Sequence, residues 1–262
     1  MELADRHVVV TGAASGIGRA LAKRFAAEGA RAVVVADLDE GLTREVAQEV
    51  GGLGVRTDVS DPKQIETLVA RAQEEHGPID LFCSNAGVPG PGGGPEAPDE
   101  AWQQTWEVNV MAHVWAARAV LPGMLERGQG YLLSTASAAG LLTQASAMAY
   151  SATKHAAVAV AEWIAINYGA RGIKVSCLCP QGVRTPMVEL AIEQDPAGSQ
   201  VLLSEGLLEP EEVAEVVVEG IREERFLILP HPRVGDYFAL RGGQHERWLN
   251  GMRKLVREAH RA

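Results

Sequence analysis

Short apolar runs alternating with helix-sized segments constrain this chain more than any other feature. His7–Val10 and Ala32–Ala36 are apolar at nearly every position, not at every second one. A strand with one wet face alternates; a run without alternation is buried on both faces, as in a parallel sheet covered by helices. The pattern recurs, with strands expected at His7–Val10, Ala32–Ala36, Leu53–Thr57, Asp80–Ser84, Gly130–Ser134, Lys174–Cys179 and Phe226–Leu229. Helical segments lie between them at Arg19–Glu28, Leu42–Val50, Ile65–His76, Asp99–Glu126 and Tyr150–Tyr168, with a break expected near Pro122. Val88–Pro98 is rich in Pro and Gly but sits inside the series, so it reads as a loop and not a linker. The expectation is an α/β fold: one doubly wound domain over residues 1–262, with a parallel sheet of about seven strands and helices on both faces.

Composition removes several classes of partner. A formal charge of −10 disfavours nucleic acid and anionic membrane surfaces. No apolar run reaches the ~18 residues of a membrane span. Met1–Arg6 passes directly into the first strand, so no signal peptide is visible. Cys83, Cys177 and Cys179 are odd in number and read as small core residues, and the histidines show no metal-ligand spacing. A cytoplasmic protein without a metal site is expected.

Two local patterns carry chemistry. Thr11–Gly18 follows the first strand and opens the first helix, with glycines at 12, 16 and 18. Such a turn lets backbone amides and a helix N-terminus approach a phosphate, although it also closes a tight strand–helix connection. This makes the doubly wound domain Rossmann-type. Asp37 ends the second strand, nineteen residues after Gly18. Its carboxylate suits the two ribose hydroxyls of an adenosine and repels a 2′-phosphate; capping the next helix is the alternative role. Arg19 is the only positive charge nearby and position 15 is Ser, so NAD is favoured over NADP. The second pattern is Tyr150 and Lys154, four residues apart and on one face of a helix. A phenol titrates near 10, and a fixed ammonium beside it favours the phenolate and moves it toward a useful range.

Together these residues resemble the short-chain dehydrogenase/reductase superfamily in its roughly 250-residue branch. The likeness runs from about residue 5 to 188. It covers Gly12, Ser15, Gly16, Ile17 and Gly18 of the turn, Asp37, Asp58-Val59, and Ser84-Asn85-Ala86-Gly87, where Ser84 replaces the usual first Asn. It continues through Asn109, Ser137 thirteen residues before Tyr150, the Tyr150–Lys154 pair, and Pro180 and Thr185. The resemblance implies that Tyr150 exchanges a proton with substrate, Lys154 lowers the Tyr150 pKa and holds the nicotinamide ribose, and Ser137 holds the substrate oxygen. Asn109 would hold a relay water, with Asp58, Val59, Asn85, Ala86, Gly87, Pro180 and Thr185 around the cofactor. It also implies a homodimer or homotetramer, with the Asp99–Leu125 and Tyr150–Tyr168 helices pairing across a two-fold axis.

Two departures stand out. Gln181 occupies the position directly after Pro180 where the family usually has Gly. The C-terminal extension, about 230–262, replaces the family's short apolar tail with Phe226-Leu-Ile-Leu-Pro-His-Pro and a charged, helix-prone end from His245. Candidate substrate walls are Val88–Pro98, Leu141–Met148 and Val188–Leu208, with a substrate loop at about 186–208 in which Glu189–Leu203, mixing apolar and acidic residues, suits a lid. Leu141, Leu142, Met148, Met187 and Leu190 suggest an apolar pocket, and core packing explains them equally well. Trp102 and Trp106 read as core or subunit contact. The expected activity is NAD-dependent interconversion of a secondary alcohol and a ketone. The alternatives are an NADPH-preferring ketoreductase of acyl or polyketide-like substrates and a non-catalytic dinucleotide-binding protein.

Overall fold

The computed structural model describes residues 1–194, 199 and 205–259. Its centre is a seven-stranded, all-parallel sheet in the order β3-β2-β1-β4-β5-β6-β7. The strands are β1 (His7–Thr11), β2 (Ala32–Asp37), β3 (Leu53–Arg56), β4 (Leu81–Ser84), β5 (Gly130–Thr135), β6 (Ile173–Leu178) and β7 (Leu227–Ile228). The expected runs locate all seven. The largest trim is at β7, where only two residues pair with β6.

Alternation along each buried strand divides the side chains between two cores. Val9, Val34, Phe82 and Leu132 face α3 (Pro62–His76), α5 (Ala112–Arg127) and α7 (Met148–Tyr168). Val8, Val10, Val35, Leu81 and Leu133 face α1 (Gly16–Ala27), α2 (Glu40–Glu49) and α9 (Pro210–Arg222). Both faces are therefore apolar, which is why these strands carry no polar period.

The long segment after β4 departs from expectation. It forms α4 (Asp99–Trp106), a π-helical turn at Glu107–Met111, and α5. Pro122 does not interrupt α5. A proline removes one N–H, and Val120, Leu121 and Met124 hold the helix by burial. The irregularity sits instead at Asn109, whose side chain is bonded to Val88, and π turns commonly mark such sites. Leu141 starts no loop wall: it lies in the short α6 (Ala139–Leu142) and is buried in the core.

After β6, α8 (Pro186–Gln194) begins the segment read as a lid; residues 195–198 and 200–204 lie outside the described residues. The C-terminal extension contains a helix that the pattern did not suggest, α10 (Arg233–Gly243), before the expected α11 (His245–Ala259). Arg241 of α10 donates to the Leu141 carbonyl, and Tyr237 donates to Glu205 at 2.9 Å. No described helix is long and apolar enough to cross a membrane.

Candidate active site

β1 pairs with β2 on one side and β4 on the other, so the connections leaving β1 and β4 diverge to opposite faces. A crevice opens at such a switch point, beyond the carboxyl ends of the strands. Here it is a cleft of ≈ 440 Å³. Every residue named above as catalytic or cofactor-binding, except Asn109, lines it.

The Gly-rich turn forms one wall. Gly12 has φ +63°, and a Cβ there would stand 2.7 Å from Ala86 Cα. A Cβ on Gly18 would stand 2.0 Å from the Gly12 carbonyl oxygen. The turn therefore tolerates no side chain at either position, and α1 starts hard against β1 and β4. Asn85 locks the same corner, donating to the Thr11 and Gly12 carbonyls at 3.1 and 3.2 Å and accepting from Thr135. Ser15 is the residue before α1 yet makes no side-chain capping bond. A bare helix N-terminus in a cradle that a Cβ would fill fits a diphosphate.

Asp37 closes the far end. Its carboxylate accepts from the Ala14 amide at 3.0 Å and the Leu38 amide at 2.7 Å. It does not cap α2; Asp39 does, accepting from Leu42. Arg19 is turned away, ion-paired with Glu45 at 2.9 Å and Glu49 at 2.5 Å. Asp58 accepts from the Ser60 amide and hydroxyl, which holds the Asp58–Val59 backbone at the cleft edge.

At the opposite end α7 carries Tyr150 and Lys154 into the cleft, one turn apart. The Lys154 Nζ lies 5.6 Å from the Tyr150 ring centroid and donates to the Thr135 carbonyl at 3.1 Å. Burial pulls the Lys154 pKa down to about 8. Burial also pushes the Tyr150 phenol above its usual value, while a hydrogen bond with Ser137 opposes that rise. The direction is thus opposite to the lowering anticipated from Lys154, because desolvation of the partly buried phenol outweighs the Ser137 hydrogen bond. Ser137 Oγ accepts from Ala139 N at 3.1 Å and approaches the Pro180 carbonyl at 3.5 Å. Asn109 is fully buried behind this group. It accepts from Val88 N and donates to Val88 O, both at 2.9 Å, and reaches Thr153 at 3.2 Å.

Thr135 and Val88 join the site through backbone atoms, so no side-chain pattern could have singled them out. Of the five residues suggested as an apolar pocket only Met187 lines the cleft; Met148 and Leu190 are about half exposed. Gln181 and Val188 stand beside it.

A doubly wound sheet with a phosphate cradle at the switch point and a Tyr–Lys pair across from it defines a dinucleotide-dependent oxidoreductase. Comparison with known proteins narrows the class. The short chain dehydrogenase family matches residues 6–196. The 1-deoxy-11-beta-hydroxypentalenate dehydrogenase of Streptomyces exfoliatus is 42% identical over 236 residues, covering 87% of this chain and 84% of that one. The levodione reductase of Leifsonia aquatica is 36% identical over 197 residues, covering 72% and 74%. A short chain dehydrogenase/reductase from Burkholderia phymatum, solved in complex with NAD, superposes with a TM-score of 0.85 at 33% identity, covering 94% of this chain and 96% of that one. The chain belongs to the short chain dehydrogenase family and is an oxidoreductase acting on CH–OH groups with a nicotinamide dinucleotide.

Proposed function

We propose that the protein is an NAD-dependent dehydrogenase that interconverts a secondary alcohol and a ketone, with Tyr150 as the proton-transfer group. One observation carries this reading: the Ser137 hydroxyl, the Tyr150 phenol and the Lys154 ammonium share one buried end of the cleft whose other end is the glycine cradle. Bound NAD would supply a hydride acceptor and, when oxidised, a positive charge. Gly12, Gly16, Ile17 and Gly18 would receive its diphosphate and Asp37 its adenosine ribose, with Ser15, Asp58, Val59, Asn85, Ala86, Gly87, Pro180 and Thr185 completing the surround.

The chain's own groups handle the proton. Ser137 donates a hydrogen bond to the substrate oxygen. Tyr150 takes the alcohol proton during oxidation and returns it during reduction. Bringing a phenol from 10 to 7 takes roughly 4 kcal/mol of preferential phenolate stabilisation, more when burial pushes it up. The Lys154 ammonium lies 5.6 Å from the ring centroid, and a positive charge on that side favours the phenolate. The Ser137 hydrogen bond already favours the phenolate, and the Lys154 ammonium and a bound cationic nicotinamide would add to it. Asn109 fixes Val88 and the α4–α5 junction behind the pair, where a relay water would sit.

NAD is favoured because Asp37 repels a 2′-phosphate and Arg19 is engaged with α2. A ring-bearing secondary alcohol is the substrate class we favour. One relative is named for a hydroxypentalenate, and another, 34% identical, for 2,5-dichloro-2,5-cyclohexadiene-1,4-diol. The α4–α5 and α7 faces pair two copies, since Trp106, Trp163 and Ile166 stand exposed on them. Three free thiols suit a reducing cytoplasm.

The test is absorbance-coupled turnover of cyclohexanol, cyclohexadienediols and 1-deoxy-11-beta-hydroxypentalenate with NAD and with NADP. Tyr150→Phe should lower kcat by at least about 10³. Wild-type rates in that variant, or a strong NADP preference, would refute the corresponding half of the reading.

A further inference from the structure

The two departures from the family pattern, Gln181 and the Pro230-His-Pro232 element, meet in space. His231 is 4% exposed and sits between β7 and α10. Its Nδ1 accepts from the Gln181 amide at 3.2 Å, fifty residues away in sequence. That amide belongs to the Pro180–Gln181 peptide, whose carbonyl accepts from Ala138 N at 2.8 Å and faces the Ser137 hydroxyl at 3.5 Å. The peptide plane is thus pinned at both ends, by the β5–α6 corner at its oxygen and by His231 at its nitrogen.

We propose that His231 is a positioning residue for hydride transfer, fixing the Pro180–Gln181 peptide and through it the Ser137 hydroxyl. The inference rests on the role proposed above for Ser137. Gln181, standing where the family usually has Gly, lines the cleft, so the orientation of the peptide that bears it shapes that wall. The imidazole suits this task. An Nδ1 that accepts an amide proton belongs to a neutral ring with its own proton on Nε2. Burial lowers the pKa of the ring, against the Gly206 and Gly182 carbonyls and the Glu205 charge, which act to raise it. Prolines on both sides restrict the backbone of His231 before any contact is made. Its own carbonyl accepts from Val234 at 3.0 Å and starts α10, whose Arg241 holds the Leu141 carbonyl. The C-terminal extension therefore holds the Pro180–Gln181 peptide and the end of α6, the helix that follows Ser137.

The discriminating experiment compares full-length wild type with His231→Leu and His231→Phe, which lack the acceptor, and His231→Asn, whose Oδ1 replaces Nδ1. The substrate is the best alcohol of the panel above. Two acceptor-free variants are used so that one misfolding leaves the other. The expected result is a roughly tenfold to hundredfold fall in kcat for the acceptor-free variants, with the NAD dissociation constant from fluorescence quenching unchanged and most activity restored in His231→Asn. Combining His231→Leu with Ser137→Ala should cost no more than Ser137→Ala alone, because both act on one hydroxyl. Unchanged kcat in the acceptor-free variants, an equal loss in His231→Asn, or additive losses in the double variant would overturn the inference while leaving the Ser137 role intact. Full activity in Ser137→Ala would instead overturn the reading of the site, and the inference with it.

Discussion

His113 offers a stability measurement whose size can be worked out in advance. It lies on α5, one turn beyond Asn109, and is 3% exposed. Neither ring nitrogen has a hydrogen-bond partner among the described residues. Burial, with a smaller contribution from the positive charge of Lys154, brings its pKa down from 6.5 to about 3. A base with a depressed folded-state pKa binds its proton more readily when unfolded. Between pH 6.5 and about 3 the unfolded chain holds one more proton, so stability rises with pH and falls on acidification. At 1.36 kcal/mol per unit, His113 removes about 2 kcal/mol between pH 7 and pH 5 and roughly 4 kcal/mol by pH 3. That is a large share of a typical 5–15 kcal/mol domain stability. The perturbation is His113→Leu, which is similar in volume and has no titrating group. Urea unfolding followed by circular dichroism at pH 7, 6 and 5 gives the pH slope of each protein. Carboxylates, His7 and His231 titrate in both, so the difference between slopes isolates position 113. The variant should lose about 2 kcal/mol less than wild type from pH 7 to 5, and should be no less stable at pH 7, because two unpartnered buried nitrogens are gone. Parallel curves would show that the ring is protonated or solvated in the folded protein, and the argument from burial would fail.

Three other outcomes follow from the geometry. Gly18→Ala places a methyl 2.0 Å from the Gly12 oxygen; NAD affinity by fluorescence titration should fall by at least about a hundredfold, roughly 2.7 kcal/mol, and unchanged affinity would remove the turn from the cofactor site. Asp37→Asn should shift the NAD-to-NADP ratio of kcat/KM toward NADP by about tenfold or more, whereas Arg19→Ala should leave the ratio unchanged, since Arg19 is bound to Glu45 and Glu49. Ile166→Glu, at a position 79% exposed on α7, should convert a dimer to monomer in light scattering without altering the far-ultraviolet circular dichroism; a variant that remains dimeric would place the interface elsewhere.

What could be read from the sequence follows a physical rule. The strands were legible because a run such as Val8–Val10, buried on both faces, has to be apolar at each position. The glycine turn and the Tyr150–Lys154 pair were legible because steric approach and proton chemistry each demand particular side chains at short spacing. The misses share the opposite character. The π turn at Asn109 depends on two bonds to Val88, twenty-one residues away, and Asn is not unusual in any helix. Helix α10 contains Gly235, Gly242 and Gly243, each costing up to ~1 kcal/mol in a helix interior, so local propensity argues against it. It forms because buried Val234 and the reach of Tyr237 and Arg241 to distant loops repay that cost. Leu141 looked like a pocket wall for the same reason: an apolar residue near a site has the same letter whether it faces the cleft or the core beneath. Tyr150 carries this furthest. Its identity and position were readable, yet the direction of its pKa shift was not, because desolvation is set by everything packed around the phenol and not by the one cation four residues away. The residues that perform chemistry are thus written locally, and the environment that tunes them is written by the whole chain.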